Sequence, residues 1–579
     1  MKIQPAVTRP AVLILIIGVV FSVQFVGDRK ATSETLAQDL SSSATKRTNA
    51  SDTITGIVLD SSGHPVSGIT VDAMPPGLSD DSFRFRQETK TDVGGKFSFE
   101  GLPDKAFVLS VQAFSFSNNS EIHVPGDYVV FHIEKGGVIT GRVTDINGYP
   151  VVHVRVRLEK VKRSDGKPLG RFEQEYTFGL QRSTDDRGIY RIWDVPPGSY
   201  LVAAGGKNND TSPMVTQYDE DAPTYYPSAT LGSATPVAVN SGQEIPGIDI
   251  QYKGDSGHSI TGFVKSTTQS SKNSDLETGV DIFSSSGRYV GNADVADDES
   301  NSFVLPNLTD GEYKVVGYRT TNEDLSAISA PITVKIKGND VNGIVLNIVP
   351  LAVISAHVTL DANPQTDCKS SQKRNLEEVV LSFKSEASDD LILSIASGLL
   401  APSVSPSVKG DVSVKRLGGN YHVTAWLPSD DWYIASMTTP SSPRPVDISA
   451  VGLLLKSGQK SNLNIVLKNG AASLSGRVIP KTAGSSMPER LLVYLIPMDE
   501  ARVDERLRFT EAVVQGDETF SLKNIAPGTY RILVREIADE SRSPVDTHEG
   551  RLELMGEAKS ASTIELHSCE RQTGFKIKY

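Results

Sequence analysis

Apolar and polar residues alternate in short bursts along this chain, and the bursts recur. Over residues 183–203, Tyr190 and Ile192 alternate with Arg191 and Trp193, which predicts a strand with one dry face and one wet face. Thr184-Asp185-Asp186-Arg187-Gly188 precedes it as turn chemistry, since Asp side chains cap local amides and Gly188 tolerates positive φ. Val195-Pro196-Pro197-Gly198 breaks the strand, and Tyr200 and Val202 resume the alternation. The stretch reads as turn, strand, turn, strand: a central hairpin.

The same phrase returns with its spacing intact. Phe97, Phe99, Leu102 and Phe107 occupy it in residues 91–109, Phe303, Leu305, Leu308 and Tyr313 in 302–316, and Phe520, Leu522, Ile525 and Tyr530 in 519–534. A degenerate copy lies in 420–435, with Tyr421 and Val423 on the strand, Trp426 at the anchor and Trp432 in place of Tyr200. Five copies of one small β unit are expected.

Each copy is preceded by an opening strand, as in Ile54-Thr55-Gly56-Ile57-Val58 and Ile139-Thr140-Gly141-Arg142-Val143. A glycine there marks a bulge or the close approach of another backbone. Each copy is followed by a Gly turn (Gly126, Gly242, Gly338, Gly458, Gly556) and a closing strand, the last carrying Ile564 and Leu566. These landmarks place units at 52–135, 137–253, 257–350, 351–469 and 470–579. Links of a few residues, such as Lys135-Gly136-Gly137, predict a semi-rigid extended string. Long insertions fall at 160–184 and 361–415, the latter holding the apolar run 391–400.

The fold class expected is all-β, a tandem array of about five transthyretin-like or Ig-like β-sandwich domains behind an N-terminal hydrophobic segment. At Gly-x-Val, Asp60-Ser61-Ser62-Gly63-His64-Pro65, Thr91-Asp92-Val93-Gly94-Gly95 and Val195-Pro196-Pro197-Gly198-Ser199-Tyr200, the chain resembles the carboxypeptidase regulatory-like domain, a transthyretin-like or Cna-B-like sandwich. The resemblance implies a fold, and a module that serves as stalk, adhesin spacer or carbohydrate-binding-like domain. Units three and five carry only the second half of the motif.

Composition narrows the setting. The 579 residues carry a formal net charge of −12, which argues against a nucleic-acid partner. Lys2 and Arg9 precede the uncharged apolar run 11–27, so residues 1–27 read as a signal peptide or retained membrane anchor, and polar 28–51 as a flexible linker. The chain is therefore expected outside the cytoplasm, secreted or held to the membrane by residues 11–27. Cys368 and Cys569, the only cysteines, fall in different units. A disulfide framework within each unit is excluded, and an exported chain that manages without cystines is expected.

Reaction chemistry is sparse in the pattern. His567-Ser568-Cys569-Glu570 has the local spacing of a zinc site, but no further His follows. Gly254-Asp255-Ser256-Gly257 echoes a nucleophile loop inside a linker. The acidic clusters Asp219-Glu220-Asp221, Asp297-Asp298-Glu299 and Asp430-Asp431 read as solvated loops, with Ca²⁺ as the alternative. Lys265, Asn347 and Glu312 invite the isopeptide crosslink of some Cna-B-like domains, against the plainer reading of ordinary polar side chains. No catalytic residue, cofactor or metal is named. Trp193, outward by alternation, with Tyr225 and Tyr226 in a Pro-bounded loop, forms the one candidate ligand platform. The expected function is a non-enzymatic envelope protein for structure or interaction, with a polysaccharide or surface protein as partner. The alternative is carbohydrate binding by the second unit, and a peptidase-associated module ranks last.

Overall fold

A computed structural model describes residues 52–579, except 77–83, 113–119, 164–180, 208–215, 267–275, 286, 297–299, 322–323, 363–367, 369–373, 386–402, 441–443, 481–487, 489–490, 516 and 537–542. The expected signal or anchor, the tether and the apolar run 391–400 lie outside the described residues. No helix among the described residues is long and apolar enough to cross a membrane.

The chain is built of strands, and five separate apolar cores follow one another along it. In every unit the opening strand is the middle of a sheet. It pairs antiparallel with the first strand of the repeated phrase and parallel with the closing strand. Ile54–Asp60 lies between Lys96–Phe99 and Tyr128–Ile133, and Ala472–Ile479 between Thr519–Ile525 and Arg571–Lys578. The alternation explains the burial: Phe97 and Phe99 point into the core while Lys96 and Ser98 face water.

The phrase itself is a crossing between layers. Lys96–Phe99 belongs to one sheet and Phe107–Gln112 to the other, and Ile189–Val195 and Gly198–Ala204 divide in the same way. This replaces the central hairpin of the sequence reading. The residue before the anchor takes positive φ in four units: Gly101 at 68°, Asp194 at 62°, Asn307 at 62° and Asn524 at 56°. Gly, Asn and Asp tolerate that conformation best, and it turns the chain out of one sheet. After the crossing, a tyrosine hydroxyl ties back four residues. Tyr200, Tyr313, Tyr421 and Tyr530 donate to the carbonyls of Pro196, Thr309, Leu417 and Ala526 at 2.6–2.9 Å. Such a corner pins the arch between the layers. Tyr200→Phe or Tyr530→Phe is expected to lower stability by about 1 kcal/mol, measured by urea denaturation, because one neutral hydrogen bond is lost. The first unit has Phe107 at this position and no such bond to lose.

The tyrosine corner resets the degenerate fourth copy. Its strand is Asp411–Arg416, with Val412 and Val414 inward and Leu417 at the anchor, so Tyr421 is the corner residue. Trp432 instead opens Trp432–Thr439, which pairs with the closing strand Lys460–Asn469. In the fifth unit the strand of Ile564 and Leu566 precedes the closing one, and Gly556 sits in the helix His548–Glu557. Asp324–Ser329 joins both layers of the third unit into one continuous eight-stranded sheet.

The opening-strand glycine is a packing requirement. A Cβ on Gly141 would overlap the carbonyl of Ile248, and one on Gly476 that of Phe575. In both cases the closing strand passes directly over the glycine.

The units do not trail out as a rod. The second packs on the third, the third on the fourth, and the first folds back onto the fourth. At that last contact Arg374 Nη1 donates to the Pro125 carbonyl at 3.0 Å and Asn375 Nδ2 to that of Asp104 at 3.1 Å. Lys105 pairs with Glu377 at 3.5 Å, and Ala106, Val124 and Val380 bury one another beside Trp426. Trp426 is thus an inter-unit contact and not a core anchor. Sequence alternation does not disclose this closure, because a small apolar patch and a few charges on each unit become partners only when the two units meet.

Candidate functional site

Trp193 and the tyrosine pair are not brought together. Trp193 stands outward on Ile189–Val195, 42 % exposed, and the Arg182 guanidinium lies 4.0 Å from its ring centre. Tyr225 is only 3 % exposed, because Thr224–Tyr225 adds to the edge of the opposite sheet and the third unit covers it. Tyr226 is partly buried against the core of the second unit. The expected platform is corrected to one exposed ring on one sheet and a buried tyrosine on the other.

What buries Tyr225 is a charged junction. Its hydroxyl donates to the Glu159 carboxylate at 3.0 Å, which also receives Arg288 Nη1 of the third unit at 2.7 Å and Arg157 Nε at 3.4 Å. Burial, with the Glu159 charge adding to it, pushes the Tyr225 phenol well above its ordinary pKa. Alternation alone puts Arg155, Arg157 and Glu159 on a wet face. The third unit makes that face dry.

The remaining sequence candidates resolve into structure. Asp219 takes the Thr216 hydroxyl at 2.6 Å and Asp221 the Tyr252 hydroxyl at 2.7 Å. Asp430 pairs with Lys523 at 3.1 Å, and Asp431 pairs with Arg571, both across the junction of units four and five. Asp297-Asp298-Glu299 lies outside the described residues. Lys265 and Asn347 are neighbours on paired strands, but both are exposed, and Glu312 is engaged by Lys335 at 2.7 Å. His567-Ser568-Cys569-Glu570 is the turn before the final strand, closed by the Glu570 amide on the His567 carbonyl at 3.1 Å. Among the described residues no group of three or more His, Cys, Asp or Glu side chains is placed to hold a metal ion.

One open cleft of about 1010 Å³ lies where the first, fourth and fifth units meet. Asp127 lines it from the first unit, Arg374 and Trp426 from the fourth, and Lys523 and Arg571 from the fifth. Cys368 and Cys569 also line it, joined in a disulfide that spans 201 residues of sequence. The chain therefore does not manage without cystine. Its one cystine runs between units, which spacing within a unit could not reveal.

A histidine supports the first unit's side. His123 Nδ1 lies 3.3 Å from Asp127 and its Nε2 3.1 Å from Glu121. Burial works against the imidazolium, but the hydrogen bonds and charges of Asp127 and Glu121 outweigh it and raise the His123 pKa. Burial likewise opposes the Asp127 charge, which His123, the Val124 amide and Arg374 more than restore, lowering its pKa. A raised histidine pKa stabilises the folded state fully below the unfolded value of about 6.5, and the contribution is lost as pH rises through the folded value. Melting temperatures are expected to fall across that window, and His123→Gln to remove that step from the profile.

Residues 53–130 match the family model of the carboxypeptidase regulatory-like domain, so the first unit is such a domain. No curated protein sequence matches the chain. Among solved structures, the Bacillus anthracis TIE protein aligns at 14 % identity and a TM-score of 0.13, over 52 % of this chain and 51 % of its own. The chain thus spans about half the length of that protein. The minor pilin GBS52 of Streptococcus agalactiae aligns at 14 % and 0.19, over 34 % and 93 % respectively. The major pilin subunit BcpA of Bacillus cereus aligns at 11 % and 0.12, over 51 % and 98 %. Nothing about function rests on scores this low.

Proposed function

We propose that this chain is an exported, non-enzymatic structural or interaction protein of the bacterial cell envelope. The observation that carries the reading is how its polar side chains are used. Glu159, Arg374, Asp430, Asp431 and Arg571 are spent on contacts between units, which shape a multi-domain surface and prepare no nucleophile. The inter-unit cystine supports export, because such bonds persist in oxidising compartments. The basic residues and apolar run near the N-terminus support the same address, as cleaved signal or retained anchor.

The partner is a surface protein or polysaccharide, met by loops at the sandwich ends. Two experiments test this. N-terminal sequencing of the mature protein from cell fractions fixes compartment and topology, and recovery of the uncleaved chain in the cytosol contradicts export. A glycan array on the full chain tests the alternative: binding abolished by Trp193→Ala would make the second unit a carbohydrate-binding module.

A further inference from the structure

The junction of units four and five is held mostly by polar contacts at a partly exposed seam. Asn524 Nδ2 donates to the carbonyls of Ser429 and Trp432, both at 2.7 Å, and two ion pairs flank it. Among the described residues, Leu507 is the fifth unit's apolar side chain packed against the core of the fourth. Exposed ion pairs contribute little, so the covalent bond holds this seam more firmly than its non-covalent contacts do. Cys569 sits in the turn before the last strand with φ of 64°, and its amide donates to the carbonyl of Gly470, at the start of its own unit, at 3.2 Å. Both cysteines are half-buried and line an open cleft.

We propose that the Cys368–Cys569 bond is a redox latch on the cleft between the first, fourth and fifth units, opened by a dithiol. One thiolate of the dithiol attacks one sulfur, forming a mixed disulfide and releasing the other cysteine as a thiolate, which takes up a proton. The second thiol of the reagent then loses its proton and displaces the remaining cysteine, which is protonated in turn. The protein disulfide gains two electrons and two protons, and the dithiol becomes a cyclic disulfide. Closing is the reverse exchange with an oxidised dithiol. Opening frees the turn at 567–570 from the fourth unit while each sandwich keeps its core.

Hydrogen exchange of the full chain, with and without dithiothreitol, tests this. On reduction, and in Cys569→Ser without reductant, exchange over 429–432 and 567–571 is expected to accelerate about tenfold or more, as for local opening. The core strand Lys460–Asn469 is expected to keep its protection. Unchanged exchange at the seam after complete reduction would overturn the proposal. So would loss of protection throughout the fourth and fifth cores, which would make the bond a structural cystine, and so would free thiols in the protein as purified from an oxidising compartment.

Discussion

Replacing Glu159 with alanine is expected to destabilise the chain by about 3–5 kcal/mol, because it leaves buried cations without their shared carboxylate. The Glu159 side chain is 2 % exposed and that of Arg288 is 14 % exposed, so neither can recover its partner from water. Tyr225 loses its acceptor in the same step. Glu159→Gln keeps an acceptor and drops the charge, and is expected to cost less. Replacing Glu159 and Arg288 together with methionine is expected to recover the part of the loss that Arg288 causes, since apolar groups of similar volume often replace a buried pair without penalty, while Arg157 and Tyr225 still lack the carboxylate. Calorimetry on the three variants measures this, and a full-sized loss that the double replacement fails to reduce would mean that the pair is not the cause.

Arg374→Ala is expected to detach the first unit from the fourth, at a cost of about 3 kcal/mol or more. Arg374 reaches the Pro125 carbonyl of the first unit while also pairing with Glu378 at 3.4 Å in its own. Glu378 is held above its ordinary pKa by burial, an effect that Arg374 partly offsets. Removing the guanidinium therefore both cuts the bridge and leaves a buried acid poorly compensated. Arg374→Lys keeps the charge without the planar fork that serves two acceptors, and is expected to fall in between. Small-angle scattering reads the result as a larger radius of gyration with the secondary structure unchanged by circular dichroism.

What the sequence discloses here depends on whether the signal is local. Phe97 and Phe99, or Tyr190 and Ile192, alternate with polar residues within a few positions, so strands and core faces are legible from the pattern alone. The opening glycines read as a bulge or a close backbone approach, and the backbones of Ile248 and Phe575 make it the second. In the fourth unit Val412 stands where the other copies have an aromatic residue, Val414 follows it, and Tyr421 comes one position nearer the anchor than Tyr200 or Tyr530 does. The nearby Tyr421, Val423 and Trp426 then imitate the start of the phrase. Contacts between units leave no comparable trace. Glu159 and Arg374 look like solvated charges until another unit covers them, and Tyr225 looks exposed until its strand joins a sheet edge. Cys368 and Cys569 are partners only because two units meet.

Closure of the first unit onto the fourth is the feature on which the arrangement depends, and a zero-length crosslink measures it. Lys105 Nζ and the Glu377 carboxylate are 3.5 Å apart across that contact, while Lys523 and Asp430 lie 3.1 Å apart across the junction of units four and five. Carbodiimide treatment of the monomeric protein, followed by peptide mass spectrometry, is expected to join Lys105 to Glu377 as readily as Lys523 to Asp430. A sample that yields the 523–430 link and never the 105–377 link would show the first unit standing free of the fourth.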